Sequence, residues 1–341
     1  LTINLTPAHT VRISGDDTVE GTENVVFTVD LGETTEGGSV TITVAGEEYI
    51  QSFEKGDKTV TFEVPNPNAE DPYKDPSSLM ATVTDVTGGG FSSVDLSSAT
   101  TTLQIDDTTN DTTATLGVSD TTVEEGSTIT YTVTVDHAPT DADLVIKLSN
   151  GQEVTIKQGE TSGSVPFAVR ADDAYTQGNE TLSVTIDSVV SGGDEYENLV
   201  LDDGAVTTVV TDMPPGGDTP GDEDTTTATI AATDTVEGTE TVTFTVTLSN
   251  AAAEAGTVTI TVDGKDYTES FAKGDTTVTF NKVPNPNAED VYLDASELTA
   301  TIKEVTGGGF EKLDYEGKSA TADIDDTTND TTATLGVSDT T

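Results

Sequence analysis

Acidic side chains recur at corresponding turns of a repeated sequence, where their oxygens could bind a metal ion. Carboxylates are donors that Ca²⁺ prefers, and Ca²⁺ takes roughly 6 to 8 oxygens in flexible geometry, whereas Mg²⁺ demands a stricter octahedron. No D-x-[DN]-x-[DN]-G loop is present, so we expect any site to be assembled from distant loops. The candidate ligands are Asp17, Glu20, Glu70, Asp71, Asp75, Asp106 and Asp107 in a first region; Asp120, Glu124, Asp172, Asp173, Glu180 and Asp212 in a second; and Asp234, Glu237, Glu289, Asp290, Asp294, Asp325 and Asp326 in a third.

Converging carboxylates repel one another, which gives a cation a reason to bind. Two unit charges 4 Å apart cost about 4 kcal/mol even at an effective dielectric of 20. Two alternatives stay open at the level of sequence. Asp favours turns in any protein, so the clusters could simply be solvated. The net charge of −50, from 63 acidic and 13 basic residues, could also reflect adaptation to salt water.

Repeats define how the chain is organised. The string IDDTTNDTTATLGVSDTT occurs unchanged at residues 105–122 and 324–341, and the strings VPNPNAED and VTGGGF each occur twice. We therefore predict a first type of domain at 1–107, a second type at 108–213, a Pro/Gly/Asp linker at 214–224, the first type again at 225–326, and the start of another second-type domain at 327–341. We expect the first joint to be short and stiff and the linker to bend more easily. We expect the last dozen residues to be poorly ordered, or ordered only through a neighbouring molecule.

Apolar residues alternate with threonine, which predicts strands throughout and no helix. Phe27, Val29 and Leu31 should point inward, as should the run from Val242 to Leu248 at every second position. The first region contains seven such runs, and seven short strands in about 100 residues indicate an immunoglobulin-like sandwich. The runs are 10–14, 24–31, 39–44, 47–53, 58–64, 79–86 and 100–105.

Strand parity places the candidate ligands together. If the seven strands run alternately up and down, the turn after the first strand, the loop after the fifth and the exit of the seventh all lie at one end of the sandwich. These three places carry the candidate ligands. We therefore expect one calcium-binding end per sandwich.

Composition excludes several classes of function. The chain has no cysteine, so disulfides and thiolate metal sites are absent, and its acidic surface disfavours nucleic acid and anionic membranes. No apolar run is long enough to span a membrane. The two histidines, His9 and His137, offer no nucleophile triad, and the absence of Trp gives little for sugar binding. We predict a non-enzymatic and monomeric protein.

The second region resembles the Calx-beta domain, a calcium-binding β-sandwich, through the segments VEEGSTITYTVTV and ADDAYTQGNETLSVTI. Acidic, cysteine-free arrays of such units are similar to the extender regions of bacterial RTX adhesins, the large adhesion proteins of biofilms. The resemblance implies calcium ligands at Glu124, Asp172, Asp173, Glu180 and Asp212. This chain departs from the Calx-beta pattern because Gln177 and Gly178 stand where a further acidic residue is usual, and because Asp212 has no acidic neighbour.

The resemblance implies a mechanical function. We expect tandem immunoglobulin-like sandwiches stiffened by Ca²⁺ at their ends and joints, with neighbouring repeats of the same chain as partners. Such a segment would act as a spacer in a secreted adhesin at the bacterial cell surface. The alternative is a module that itself binds a glycan, ice or a protein.

Overall fold

The computed structural model describes residues 7–212 and 224–338, and within these ranges every regular element is a β-strand. The predicted all-β fold of tandem sandwiches is confirmed. None of the described residues belongs to a helix long and apolar enough to cross a membrane. The predicted linker, apart from Asp224, lies outside the described residues.

The chain forms two compact units. One contains residues 1–119, 130–166 and 183–206, and the other contains residues 120–129, 167–182 and 207–341. The first unit holds the whole first region with part of the second, and the other unit holds the rest of the second region with the third.

The first region contains the strands β1 His9–Thr10, β2 Arg12–Gly15, β3 Thr18–Val19, β4 Asn24–Asp30, β5 Gly38–Val44, β6 Glu47–Phe53, β7 Thr59–Pro65, β8 Ser77–Gly88, β9 Val94–Asp95 and β10 Thr100–Asp106. Seven of them match the seven predicted runs to within two residues at each end, because the alternation of Val, Phe and Thr fixes both their length and their faces. The three others, β1, β3 and β9, are two-residue strands that correspond to no separate predicted run.

Two sheets make up the sandwich of the first region. One has the order β2-β4-β7, and the other has the order β3-β10-β8-β5-β6. The hairpin between β5 and β6 turns at Ala45 and Gly46, which both have positive φ (52° and 89°), as a tight primed turn requires. Inward side chains fill the core: Phe27, Val29 and Leu31 are 0% exposed.

Four residues separate the end of β10 from the first strand of the second region. The strands of this region are β11 Asp111–Val118, β12 Thr122–Glu124, β13 Thr128–Val135, β14 Leu144–Leu148, β15 Glu153–Ile156, β16 Ser162–Ala168, β17 Glu180–Val184, β18 Ile186–Ser191, β19 Asn198–Leu201 and β20 Val206–Thr211. In the first unit, β11 pairs with β13 and, in parallel, with β19, while β14 pairs with β15 and β18. In the other unit, β12 pairs in parallel with β20.

The third region repeats the first. Its strands are β21 Thr225–Thr233, β22 Thr235–Val236, β23 Thr241–Leu248, β24 Gly256–Val262, β25 Lys265–Phe271, β26 Thr277–Pro284, β27 Ser296–Gly307, β28 Lys312–Asp314 and β29 Ser319–Asp325. Val242, Phe244, Val246 and Leu248 are buried, as predicted, in a core between the sheets β26-β23-β21-β28 and β22-β29-β27-β24-β25. Residues 326–338 form no strand, and Leu335 is 95% exposed.

Candidate metal centre

A short parallel pairing brings the first acidic turn to the exit strand. β3 pairs with the end of β10, and the amide of Glu20 donates to the carbonyl of Asp106 at 3.0 Å. The same contact joins Glu125 to Thr211 at 2.9 Å and Glu237 to Asp325 at 2.9 Å. In every region the glutamate of the turn therefore lies beside the last residue of the exit strand.

The glycine after that glutamate allows the acidic loop that precedes β8 to pack closely against the turn. Gly21 has a φ of +68°, and its amide donates to the carbonyl of Asn68 at 3.1 Å. A Cβ on Gly21 would lie 2.4 Å from a carboxylate oxygen of Glu70 and 2.8 Å from its Cβ. Gly126 and Gly238 occupy equivalent places against Arg170 and Asn287. The glutamate–glycine motif thus supplies both a candidate ligand and the space for the loop that carries other candidate ligands.

Five carboxylates form the first joint cluster: Glu20, Asp71, Asp75, Asp107 and Glu197. The ligand atoms of Glu20, Asp107 and Glu197 lie within 4.8 Å of one another, and so do those of Glu20, Asp71 and Asp75. Glu20 belongs to both groups and is 1% exposed. The first joint cluster therefore consists of two adjoining triads that share one buried carboxylate, that of Glu20.

Hydrogen bonds orient these side chains and leave some oxygens without partners. The amide of Thr108 donates to Glu20 Oε1 at 3.1 Å, the Thr108 hydroxyl donates to Glu70 Oε1 at 2.6 Å, and the amide of Asp75 donates to Asp107 Oδ1 at 3.1 Å. Glu20 Oε2 and Glu197 Oε1 are buried and accept no hydrogen bond. A buried carboxylate oxygen without a partner is costly unless a cation neutralises it.

The proximity of like charges changes the acidity of the cluster. Burial, together with the negative charges of Glu20 and Asp107, raises the pKa of Glu197 to about 7, although the amide of Asn110 opposes the change. Burial likewise raises the pKa of Asp107. Both effects mean that the charged forms are destabilised in the absence of a cation.

Glu197 comes from the second region and reaches the cluster through a docked loop. The amide of Glu197 donates to the carbonyl of Pro72 at 3.0 Å, and the amide of Lys74 donates to the carbonyl of Glu195 at 2.8 Å, which makes a bridge between Tyr73 and Tyr196. The Tyr73 hydroxyl also donates to the carbonyl of Ala138 at 2.6 Å. The cluster therefore lies across the joint between two sandwiches.

A second joint cluster consists of Glu125, Asp212 and Glu311, with ligand atoms within 4.8 Å of one another. Glu311 belongs to the third region, and a backbone hydrogen bond positions it as one positions Glu197. The amide of Glu311 donates to the carbonyl of Ala174 at 3.1 Å. Tyr175 contacts Phe310, and its hydroxyl donates to the carbonyl of Ala251 at 2.7 Å. Both oxygens of Glu311 and Oε1 of Glu125 are buried without a hydrogen-bond partner.

Charge around the second joint cluster is again predominantly negative. Burial is the main reason that the pKa of Glu311 rises to about 7, and the charges of Asp224, Asp212 and Glu125 add to it. Burial also raises the pKa of Glu125, whereas Arg170 lowers it. Arg170 is the cation of this cluster, and its Nε lies 2.7 Å from Glu125 Oε2.

The third region presents a cluster of Glu237, Asp290 and Asp294. Glu237 is 2% exposed and its Oε2 is buried without a partner. The amide of Thr327 donates to Glu237 Oε1 at 2.9 Å, as the amide of Thr108 does for Glu20.

The remaining candidate ligands lie outside these clusters. Asp17 and Asp234 accept from strand amides of Gln104 and Asp323 (2.7 and 3.0 Å). Glu70 and Glu289 are held by Thr and Asn side chains, which lower their pKa values. The others border the clusters or lie on nearby strands: Asp106, Asp325 and Asp326 at the strand exits, Asp120 and Glu124 at the second-region turn, Asp172 and Asp173 in its acidic loop, and Glu180 at the start of β17.

The sequence alone does not predict a role for Glu197, Glu311 or Arg170. It places Glu124 and Glu125 together at the acidic turn and predicts Glu124 as the ligand, whereas the structure places Glu125 in the cluster. A signal for Glu197 and Glu311 existed. Tyr196-Glu197 and Phe310-Glu311 are both an aromatic residue followed by glutamate, in corresponding loops of successive regions.

The donor set suits a hard cation. Every ligand atom in the described clusters is a carboxylate oxygen, with no sulfur or imidazole, and this composition favours Ca²⁺ or Mg²⁺ over Zn²⁺. Loops from two sandwiches give the irregular, adjustable oxygen shell that Ca²⁺ accepts. The buried oxygens without partners fit a bound cation.

Comparison with known proteins gives the following matches. A sequence profile described as the LapA domain matches the chain three times, over residues 8–108, 111–213 and 224–327. No curated protein matches the chain. Among solved structures, the chain is similar to a tetra-tandem repeat in the extending region of a large adhesion protein, with 16% identity, a TM-score of 0.28, and coverage of 93% of this chain and 74% of that one. It is also similar to the I9–I11 tandem of titin, with 14% identity, a TM-score of 0.19, and coverage of 93% and 100%.

Proposed function

The chain belongs to the LapA domain family, and on that basis we propose that it is a spacer of a secreted adhesin at the bacterial cell surface, stiffened by Ca²⁺ at its joints. In this role it holds a distal ligand-binding domain away from the cell during adhesion and biofilm formation. The family and the all-β fold point to a structural repeat rather than to a catalyst.

One observation carries the proposal. At each described joint, a glutamate of the following region, Glu197 or Glu311, enters the carboxylate cluster of the preceding region. A cation bound there has ligands from both sides, so its binding free energy opposes bending of the joint. Without it, repulsion among the carboxylates pushes the two sides apart.

Ligand linkage makes the effect measurable. A cation that binds only the folded, docked joint adds about RT ln(1 + [L]/Kd) to stability, and extracellular calcium modules often have Kd values of about 10⁻⁴ to 10⁻³ M. Millimolar calcium, as found outside cells, is sufficient for such sites.

Small-angle scattering and thermal melting of the chain test the proposal. Calcium should raise the Tm and narrow the distribution of inter-sandwich conformations relative to chelator, whereas sodium chloride at equal ionic strength should not. If sodium reproduces the effect, the acidic surface reflects salt adaptation. If neither the scattering profile nor the Tm responds to calcium, the proposal fails.

A matched pair of variants separates the joint from the general charge. Glu197→Gln removes one cluster ligand, whereas Glu153→Gln removes the same charge from an exposed position on β15. Only the first should weaken the calcium response.

A further inference from the structure

We propose that Arg170 takes the place of one of two divalent cations at the end of the second region, so that the second joint binds one calcium ion fewer than the first. This inference rests on the proposed function and concerns how the two joints differ. It arises from a comparison of the clusters position by position.

Arg170 and Asn68 occupy the same place in the fold. The amide of Gly21 donates to the carbonyl of Asn68, and the amide of Gly126 donates to the carbonyl of Arg170. Each of these two residues therefore accepts a backbone hydrogen bond from the glycine that follows the buried glutamate of its region.

In the first region, the uncharged Asn68 leaves one triad of carboxylates available to a cation. This triad consists of Glu20, Asp71 and Asp75 and is called the inner triad. The side-chain Nδ2 of Asn68 donates to Asp75, at 3.2 Å to both the carbonyl and the Oδ1. The carboxylates of Glu20, Asp71 and Asp75 converge beside Asn68. Glu20 is only 1% exposed, and its Oε2 has no hydrogen-bond partner. The third region repeats this arrangement with Asn287, whose Nδ2 donates to the carbonyl of Asp294 at 3.0 Å.

In the second region a guanidinium occupies the inner position. Arg170 Nε lies 2.7 Å from Glu125 Oε2 and its Nη2 lies 2.5 Å from Asp212 Oδ1. Its Nη1 donates to the carbonyl of Gly178 at 2.7 Å, and its side chain is only 17% exposed. A guanidinium held by two carboxylates and a carbonyl already neutralises the charge that an inner cation would neutralise.

The acidic loop of the second region also differs from that of the first. The amide of Asp75 donates to Asp107, and the amide of Gln177 donates to Asp212, so Gln177 stands where the first region has Asp75. Gln177 also donates from its Nε2 to Asp173 Oδ2 at 2.5 Å. The second region therefore lacks a carboxylate at the position of Asp75, and its Asp173 accepts a hydrogen bond from the neutral side chain of Gln177.

The outer position of the second joint is the triad that includes the glutamate of the following region, Glu311, and it remains available to a cation. Glu125 Oε1 and both oxygens of Glu311 are buried without hydrogen-bond partners, so the arginine satisfies only the inner side of Glu125. One cation between the two regions completes this set. The described residues accordingly show two carboxylate triads at the first joint and one at the second.

Counting bound calcium in reciprocal variants of the whole chain tests the inference. Equilibrium dialysis against buffered calcium, followed by metal analysis, gives the number of ions per chain. The double variant Arg170→Asn, Gln177→Asp gives the second region the pattern of the first and should gain one calcium ion. The reciprocal variant Asn68→Arg, Asp75→Gln should lose one.

Controls keep the result interpretable. Lys157→Asn removes a positive charge from an exposed ion pair with Asp143 and should leave the count unchanged. Circular dichroism identifies a variant that does not fold, and the reciprocal variant at the other joint then decides the question. Calcium binding by the original chain with unchanged counts in both double variants overturns this inference alone, whereas no calcium binding by the original chain overturns the proposed function with it.

Discussion

At the scale of single residues, Glu197 is the side chain that most directly tests the proposed first joint. It belongs to one sandwich and lies in the carboxylate cluster of another, with one oxygen buried and without a partner. Glu197→Gln should weaken calcium binding at this joint by roughly tenfold, about 1.4 kcal/mol. Calorimetric titration measures the change, and unaltered affinity would show that Glu197 is not a ligand.

Acidity gives a second test at this scale. Folding raises the pKa of Glu197 and of Glu311 from 4.5 to about 7, because the buried charged form is unfavourable. Their contribution to stability is therefore fully present below pH 4.5 and is lost as the pH rises through 7. In chelator, the Tm should fall between pH 5 and pH 8, and this fall should be smaller in Glu197→Gln.

Calcium should reverse that pH dependence. The cation competes with protons for the same oxygens, so the calcium-dependent gain in Tm should increase from pH 5 to pH 8. A gain that is equal at both pH values would contradict the assignment of these glutamates as ligands.

At the scale of elements, the turn glycine couples the acidic loop to the exit strand. Gly21→Ala places a Cβ at positive φ, which costs about 1 to 2 kcal/mol, and also drives it into Glu70. Gly56 is the matched control, since it has a φ of +98° and open space around a Cβ. Gly21→Ala should lower both the Tm and the calcium affinity more than Gly56→Ala, and equal effects would show that the loop adjusts.

The docked tyrosine offers another comparison between equivalent elements. Tyr73 packs against Tyr196 with ring centroids 5.6 Å apart and donates to Ala138, whereas Tyr292 is the same position in the third region and is 73% exposed. Tyr73→Ala should destabilise the first joint by about 2 kcal/mol. Tyr292→Ala should leave the Tm of this chain unchanged. A similar loss in both variants would mean that the tyrosine stabilises its own loop rather than the joint.

Local pattern explains why these elements could be predicted from the sequence. Alternating Val, Phe and Thr fix the strands, and the parity of seven strands brings Glu20, Asp71, Asp75 and Asp107 to one end. The docking of one region on the next depends on contacts between distant residues, which no local pattern encodes. Glu197 and Glu311 were therefore missed, as was the arginine that enters the second cluster from the end of a strand.

At the scale of the whole molecule, the repeats set the pattern of joints. The predicted relationship to adhesin repeats is confirmed by three successive matches to the LapA domain, and the immunoglobulin-like β-sandwich fold is confirmed by the sheets. The RTX and Calx-beta assignments, the domain bounds and the monomeric state stay predictions. The repeated string at residues 105–122 divides into the end of β10, the candidate ligand Asp107, a short joint that contacts Glu20, and the start of the next sandwich.

Calcium bound across the joint is the central claim, and crystals grown in calcium test it most directly. Anomalous scattering should place an ion between Glu20, Asp107 and Glu197, with metal-to-oxygen distances of about 2.3 to 2.6 Å. Water or a sodium ion at this position in saturating calcium, with Glu197 turned away from the other two carboxylates, would contradict the claim.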